Sequence, residues 1–149
     1  MANIQLLFTT TRLPASWLIR LGTWSAWSHV ALVDGDRVIE SVMGHGVRSV
    51  PLSSAIARAS DHVMVSLPAH NAAAIIAAAR TQLGKPYDYT AILGLGLHRD
   101  WQEDDAWFCS ELVAWAFQQA GEPLFRPDCM RRVTPQHLYM LPAPEVAFG

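Results

Sequence analysis

Two cysteines, Cys109 and Cys129, and six histidines are the side chains of this 149-residue sequence best suited to nucleophilic and proton-transfer chemistry. Cys109 falls near the start of a segment, about Ala106 to Ala120, whose apolar spacing predicts a helix. Asp104 and Asp105 stand ahead of it as caps. The unpaired N–H groups and positive dipole end of a helix start favour thiolate over thiol. A first-turn N–H can also stabilise an oxyanion. The position suits a nucleophile. It is equally the first member of the stripe Cys109, Leu112, Val113, Ala116, Phe117 and Ala120. That stripe is the buried face of an amphipathic helix, where cysteine is a small apolar group. A cysteine facing a sheet across a cleft would lie on the same stripe, so periodicity leaves both readings open. Cys129 has no helix start and no neighbouring histidine, and reads as structural.

A nucleophilic cysteine needs a base. The histidines are His29, His45, His62, His70, His98 and His137, and no two have the spacing of metal ligands on one helix or strand. His29 stands apart because it opens a hairpin signal. His29 to Val33 and Asp36 to Glu40 flank Asp34-Gly35, a dipeptide that favours tight turns. If Asp34 and Gly35 are the two turn residues, His29 lies directly opposite Glu40. If Gly35 and Asp36 turn instead, Glu40 becomes a diagonal neighbour on the same face. In either register a carboxylate can fix the imidazole's tautomer and orientation. The competing reading is a solvent-facing His–Glu pair worth a few tenths of a kcal/mol, ~0.2–1 by the usual cross-strand range.

Tyr87, in Gly84-Lys85-Pro86-Tyr87-Asp88, is a candidate cleft residue and equally a turn tyrosine packed on the core. Trp27 shares a strand face with His29 by period 2, so it either shapes a substrate pocket or fills the core. Ser110 reads as a first-turn cap, and Glu111 as a carboxylate facing solvent or the helix dipole.

These residues need elements to position them. Ile4 to Phe8 reads as a strand, Pro14 to Leu21 as a short helix, and Val47 to Leu52 as a strand after the hairpin. Ser53 to Ala59 reads as a short helix capped by serine, and Val63 to Leu67 as a strand stopped by Pro68. Asn71 caps a helix over Ala72–Gln82 that ends at Gly84. Gly121 follows the cysteine helix, and the proline-rich stretch from Pro123 to Gly149 reads as mostly irregular. Strands and helices do not alternate as in a doubly wound sheet, so the fold class is α+β with an antiparallel sheet or small barrel.

The length fits a single domain over residues 1–149. At 51% hydrophobic and 16% charged the composition is globular. A net charge of −2 gives no pull on phosphate backbones and argues against a nucleic-acid binder. No apolar run approaches the roughly 20 residues of a transmembrane segment. The start of the chain does not read as a signal peptide, and two cysteines make no disulfide framework, so the default localisation is cytoplasmic.

Ser28-His29-Val30, Glu40, Gly84-Lys85-Pro86-Tyr87-Asp88 and Phe108-Cys109-Ser110-Glu111-Leu112-Val113 resemble the permuted papain-like cysteine hydrolases. These are circularly permuted relatives of the NlpC-type cell-wall peptidases, with the histidine and its polar partner ahead of the cysteine. The resemblance spans roughly His29 to Phe117. It implies an antiparallel barrel-like sheet packed against the cysteine helix, with Cys109 as nucleophile, His29 as base and Glu40 as orienting residue. It implies hydrolysis of a small amide or peptide through a thioester, with no metal and no organic cofactor. Lipid acyltransferase relatives carry Asn-Cys-Glu-His where this chain has Phe108-Cys109-Ser110-Glu111, which disfavours that branch. A lipid acyltransferase or esterase and a non-catalytic binding module remain the alternatives.

Overall fold

The computed structural model describes residues 2–10, 27–42, 45–86, 109–125 and 135–141. Among the described residues, five strands form one antiparallel sheet: β1 (Ala2–Thr10), β2 (His29–Asp34), β3 (Arg37–Val42), β4 (Gly46–Pro51) and β5 (Asp61–Ala69). The order across the sheet is β4-β3-β2-β1-β5. Helix α1 (Leu52–Arg58) joins β4 to β5, and α2 (Ala72–Arg80) follows β5. Helix α3 (Cys109–Gln119) carries the cysteine, and α4 (Pro135–Tyr139) is a short C-terminal turn of helix.

Period-2 alternation sends each strand's apolar side chains to two faces. One set, with Leu6, Phe8, Val30, Leu32, Ile39, Val65 and Leu67, packs with Ile75 of α2, Leu112, Val113 and Phe117 of α3, and Leu138 of α4. The other set, Leu7, Ala31, Val33 and Val38, is covered by Ala55 of α1. The expected stripe is buried from Cys109 to Phe117, with Ala120 only partly buried just past the end of α3, and Ser110, Glu111 and Ala114 are buried as well. Glu111 is only 7% exposed, which excludes the solvent-facing alternative and leaves it as a carboxylate in the first turn of α3.

The β2–β3 turn is Gly35-Asp36, with Asp34 opposite Arg37, Val33 opposite Val38 and Leu32 opposite Ile39. The Asp34-Gly35 turn would have set Val33 against Asp36 and Leu32 against Arg37. Apolar cross-strand pairing therefore selects the other register. Gly35, at φ +63°, supplies the positive φ that a tight hairpin needs at its first loop position.

Two further expectations are corrected. Helix α1 has no serine cap: Pro51 occupies the cap position, and the Leu52 N–H donates to the Asp36 carbonyl of the hairpin turn at 2.8 Å. Strand β5 runs through Pro68, which pairs with Asn3. β5 is an edge strand, where a residue without an N–H costs no ladder bond on its open side. The tail contains α4, whose Leu138 is fully buried. The expected helix at Pro14–Leu21 lies outside the described residues.

Two of the helix ends read from the sequence are present, while α2 stops at Arg80 with Thr81 at its C-cap, short of the expected Gln82 and Gly84. Asn71 Oδ1 accepts from Ala74 N–H at 3.1 Å. At the end of α3, Gly121 adopts φ +79°, its N–H donates to the Gln118 carbonyl, and the Glu122 N–H donates to the Phe117 carbonyl. The Glu122 carboxylate then accepts from the backbone N–H groups of His70 and Asn71. The end of the cysteine helix is thereby tied to the start of α2.

Candidate active site

His29 is the first residue of β2 and Cys109 the first of α3, so the site forms at the ends of two elements. Glu40 reaches it from β3. The sheet register places Glu40 diagonally from His29, and His29 Nε2 lies 2.9 Å from Glu40 Oε1. An ionised carboxylate only accepts, so Nε2 carries the proton and donates it to Oε1. The Cys109 side chain also acts on the ring, favouring the protonated imidazole through hydrogen bonding and charge. With Nε2 committed to Glu40, Nδ1 is the nitrogen left for the thiol.

The pair is not solvent-facing. Glu40 is 1% exposed and the His29 side chain 19%. A buried carboxylate is costly unless it is paired and hydrogen-bonded. Glu40 meets that cost with three partners. Oε1 faces His29, and Oε2 accepts from Arg48 Nε and from Arg58 Nη2, each at 3.0 Å. Arg48 lies directly opposite Glu40 in the β3–β4 ladder, and Arg58 is the last residue of α1.

Burial is the largest influence on both groups, and it opposes charge on each. For His29 it is outweighed by the hydrogen bonds to Cys109 and Glu40 and by their charges, which together raise the imidazole to about 9. For Glu40 the His29 hydrogen bond and charge, the Arg58 charge and the Arg48 hydrogen bond lower the carboxyl to about 2. The site therefore favours a charged imidazolium held by a charged carboxylate at neutral pH.

Trp27 is 9% exposed and sits in the core, with ring centroids 6.5 Å from Phe8 and 5.8 Å from Tyr139. Cys109 is 1% exposed and packs in the same core cluster. Tyr87, Cys129, Asp104 and Asp105 lie outside the described residues. The segment leading to Tyr87 is well fixed, since Gly84 N–H donates to the Val47 carbonyl and Val47 N–H to the Lys85 carbonyl, both at 2.8 Å. A Cβ on Gly46 would stand 2.2 Å from that Lys85 oxygen, so only glycine permits this docking.

Sequence reasoning missed Arg48 and Arg58. The signal for Arg48 was present: extending the hairpin logic to β3 and β4 sets it across from Glu40. Arg58 carried no such signal, because it arrives through the packing of α1.

A sheet that presents histidine and carboxylate before a helix that starts with cysteine has the layout of a papain-like protein in permuted chain order. Residues 5–137 match the permuted papain-like amidase family, YaeF/YiiX, C92, and the chain belongs to that family. Among solved structures it is similar to the metalloprotein yiiX from Escherichia coli O157:H7. The two are 22% identical, with a TM-score of 0.70 over 93% of this chain and 91% of that one. This likeness carries the fold. No curated protein matches the chain.

Proposed function

We propose that this protein is a cysteine-dependent amidase, with Cys109 as nucleophile, His29 as its proton partner and Glu40 as the group that orients and charges His29. The observation that carries the reading is His29 held between the Glu40 carboxylate and the Cys109 side chain. Membership of an amidase family supports an amide as substrate.

In this mechanism His29 has already taken the thiol proton, as the imidazolium the site favours, and Cys109 Sγ attacks the amide carbonyl carbon. The imidazolium then donates its proton to the leaving nitrogen as the C–N bond breaks, leaving a thioester. A water attacks the thioester, its proton passes to His29, and the acid departs with the thiol restored. Splitting one amide hydrolysis into two acyl transfers lowers each barrier. The substrate class is a small amide or peptide, handled by one domain spanning residues 1–149. Tyr87 is proposed to line the cleft, because Gly84 and Lys85 are pinned to β4 just before it. A reducing, cytoplasmic setting suits the thiol chemistry.

The relative's description as a metalloprotein does not transfer readily to these residues. Among the described residues no group of three or more His, Cys, Asp and Glu side chains is arranged to hold a metal ion. Both Glu40 oxygens are already engaged, one by His29 and one by two arginines. No step is therefore routed through a metal.

Turnover of a panel of small amides and esters, with thermal melts in parallel, tests the reading. Cys109→Ala should abolish turnover while the protein stays folded. Full activity in the folded variant would refute it.

A further inference from the structure

We propose that Arg48 and Arg58 are positioning residues that hold Glu40 with one oxygen turned to His29 and the other withdrawn from it. The inference rests on the catalytic reading above and assigns the machinery behind it.

The geometry is divided. Oε2 receives Arg48 Nε and Arg58 Nη2 at 3.0 Å each, whereas Oε1 receives only His29 Nε2 among the described residues. The two arginines come from different elements, β4 and α1, so they approach Oε2 from two directions. A carboxylate bound on one oxygen by two guanidinium groups cannot swap its oxygens without breaking both bonds. Its free acceptor is therefore aimed, and the histidine that meets it is held in one tautomer. Arg58 is tethered as well, through Nε to the Ser54 carbonyl at 3.4 Å.

Charge adds to the aim. A carboxylate that is 1% exposed would tend to take up a proton without cationic neighbours. Among the described residues, the charged or titratable groups facing Glu40 are His29 from β2, Arg48 from β4 and Arg58 from α1; those facing His29 are Glu40 from β3 and Cys109 from α3. Arg48 and Arg58 keep the acceptor ionised whichever protonation state His29 visits during turnover. A histidine that must give up and regain its proton needs such a constant partner.

The experiment is a mutant cycle read in two ways. The variants are Glu40→Gln, Arg48→Gln with Arg58→Gln, and all three together. Arg48→Lys with Arg58→Lys keeps the charge without the planar fork. The first readout is the nitrogen-15 NMR shift of the His29 ring, which reports tautomer and protonation and requires no substrate. The second is kcat and KM on an amide. Replacing both arginines by glutamine should leave neutral His29 as a mixture of tautomers and lower kcat on the order of 10- to 100-fold, the size seen when the orienting partner of a functional histidine is removed. KM should change little, and the lysine pair should recover part of kcat. In the Glu40→Gln background the same arginine changes should add no further loss, because their effect passes through Glu40. An equal loss in both backgrounds, or an unchanged His29 spectrum in the arginine variant, would overturn the proposal. A wild-type protein without turnover whose His29 spectrum still depends on the arginines would sustain the clamp and remove the amidase reading.

Discussion

Glu40 shows how a single buried charge can define a site. Its position on the face of His29 was legible in the sequence, because either two-residue turn keeps the two residues on one face. Its burial was not, because that depends on two arginines delivered by other elements. The titrations of the pair bear on stability in opposite pH ranges. His29 is raised from 6.5 to about 9, so its contribution is complete below pH 6.5 and is lost as pH rises through about 9. Glu40 is lowered from 4.5 to about 2, so its contribution is complete above pH 4.5 and is lost as pH falls through about 2. Thermal melting across pH should therefore fall at both ends, the alkaline fall being absent in His29→Ala. Glu40→Gln should destabilise the protein by about 1–3 kcal/mol near neutral pH, the usual cost of leaving buried partners unsatisfied. An unchanged melting temperature would show that the arginines and His29 re-solvate freely.

At the scale of elements, the hairpin, the Asn71 cap and the Gly121 terminator follow from local chemistry and were readable. The register of the hairpin was decided by a longer-range competition. Pairing Val33 with Val38 and Leu32 with Ile39 outweighed the turn preference of Asp34-Gly35. Pro68 within β5 became tolerable only once β5 lay at the sheet's edge, which no local pattern reveals. Two glycines separate turn strain from packing. Gly35 has φ +63° with open space where a Cβ would go, whereas Gly46 has φ +68° and a backbone oxygen 2.2 Å from that point. Gly35→Ala should cost roughly 1–2 kcal/mol, the penalty of a left-handed residue. Gly46→Ala should cost clearly more, since β4 must also part from Lys85. Urea denaturation of both variants measures the difference, and equal costs would contradict the docking of residues 84 and 85 on β4.

The whole molecule brings together chain segments far apart in sequence. His29 and Glu40 come from adjacent strands, while Cys109 arrives on a helix packed over the sheet and tied by Glu122 to the start of α2. The amphipathic stripe of α3 gave no means of separating a core cysteine from a reactive one, and Cys109 is both buried and near enough to His29 to raise its titration. The closing helix α4 escaped sequence reading because five residues are too few for a periodicity, although Leu138 and Tyr139 complete the core around Phe8 and Trp27.

The pairing of Cys109 with His29 is the central claim, and the NMR titration of the His29 ring in wild type and in Cys109→Ala tests it most directly. The hydrogen bond and charge of Cys109 raise His29 while burial lowers it. The wild-type ring should therefore stay protonated up to about pH 9, and loss of Cys109 should move its titration clearly downward. A ring that titrates near its ordinary value of 6.5 and does not respond to Cys109→Ala would contradict the account.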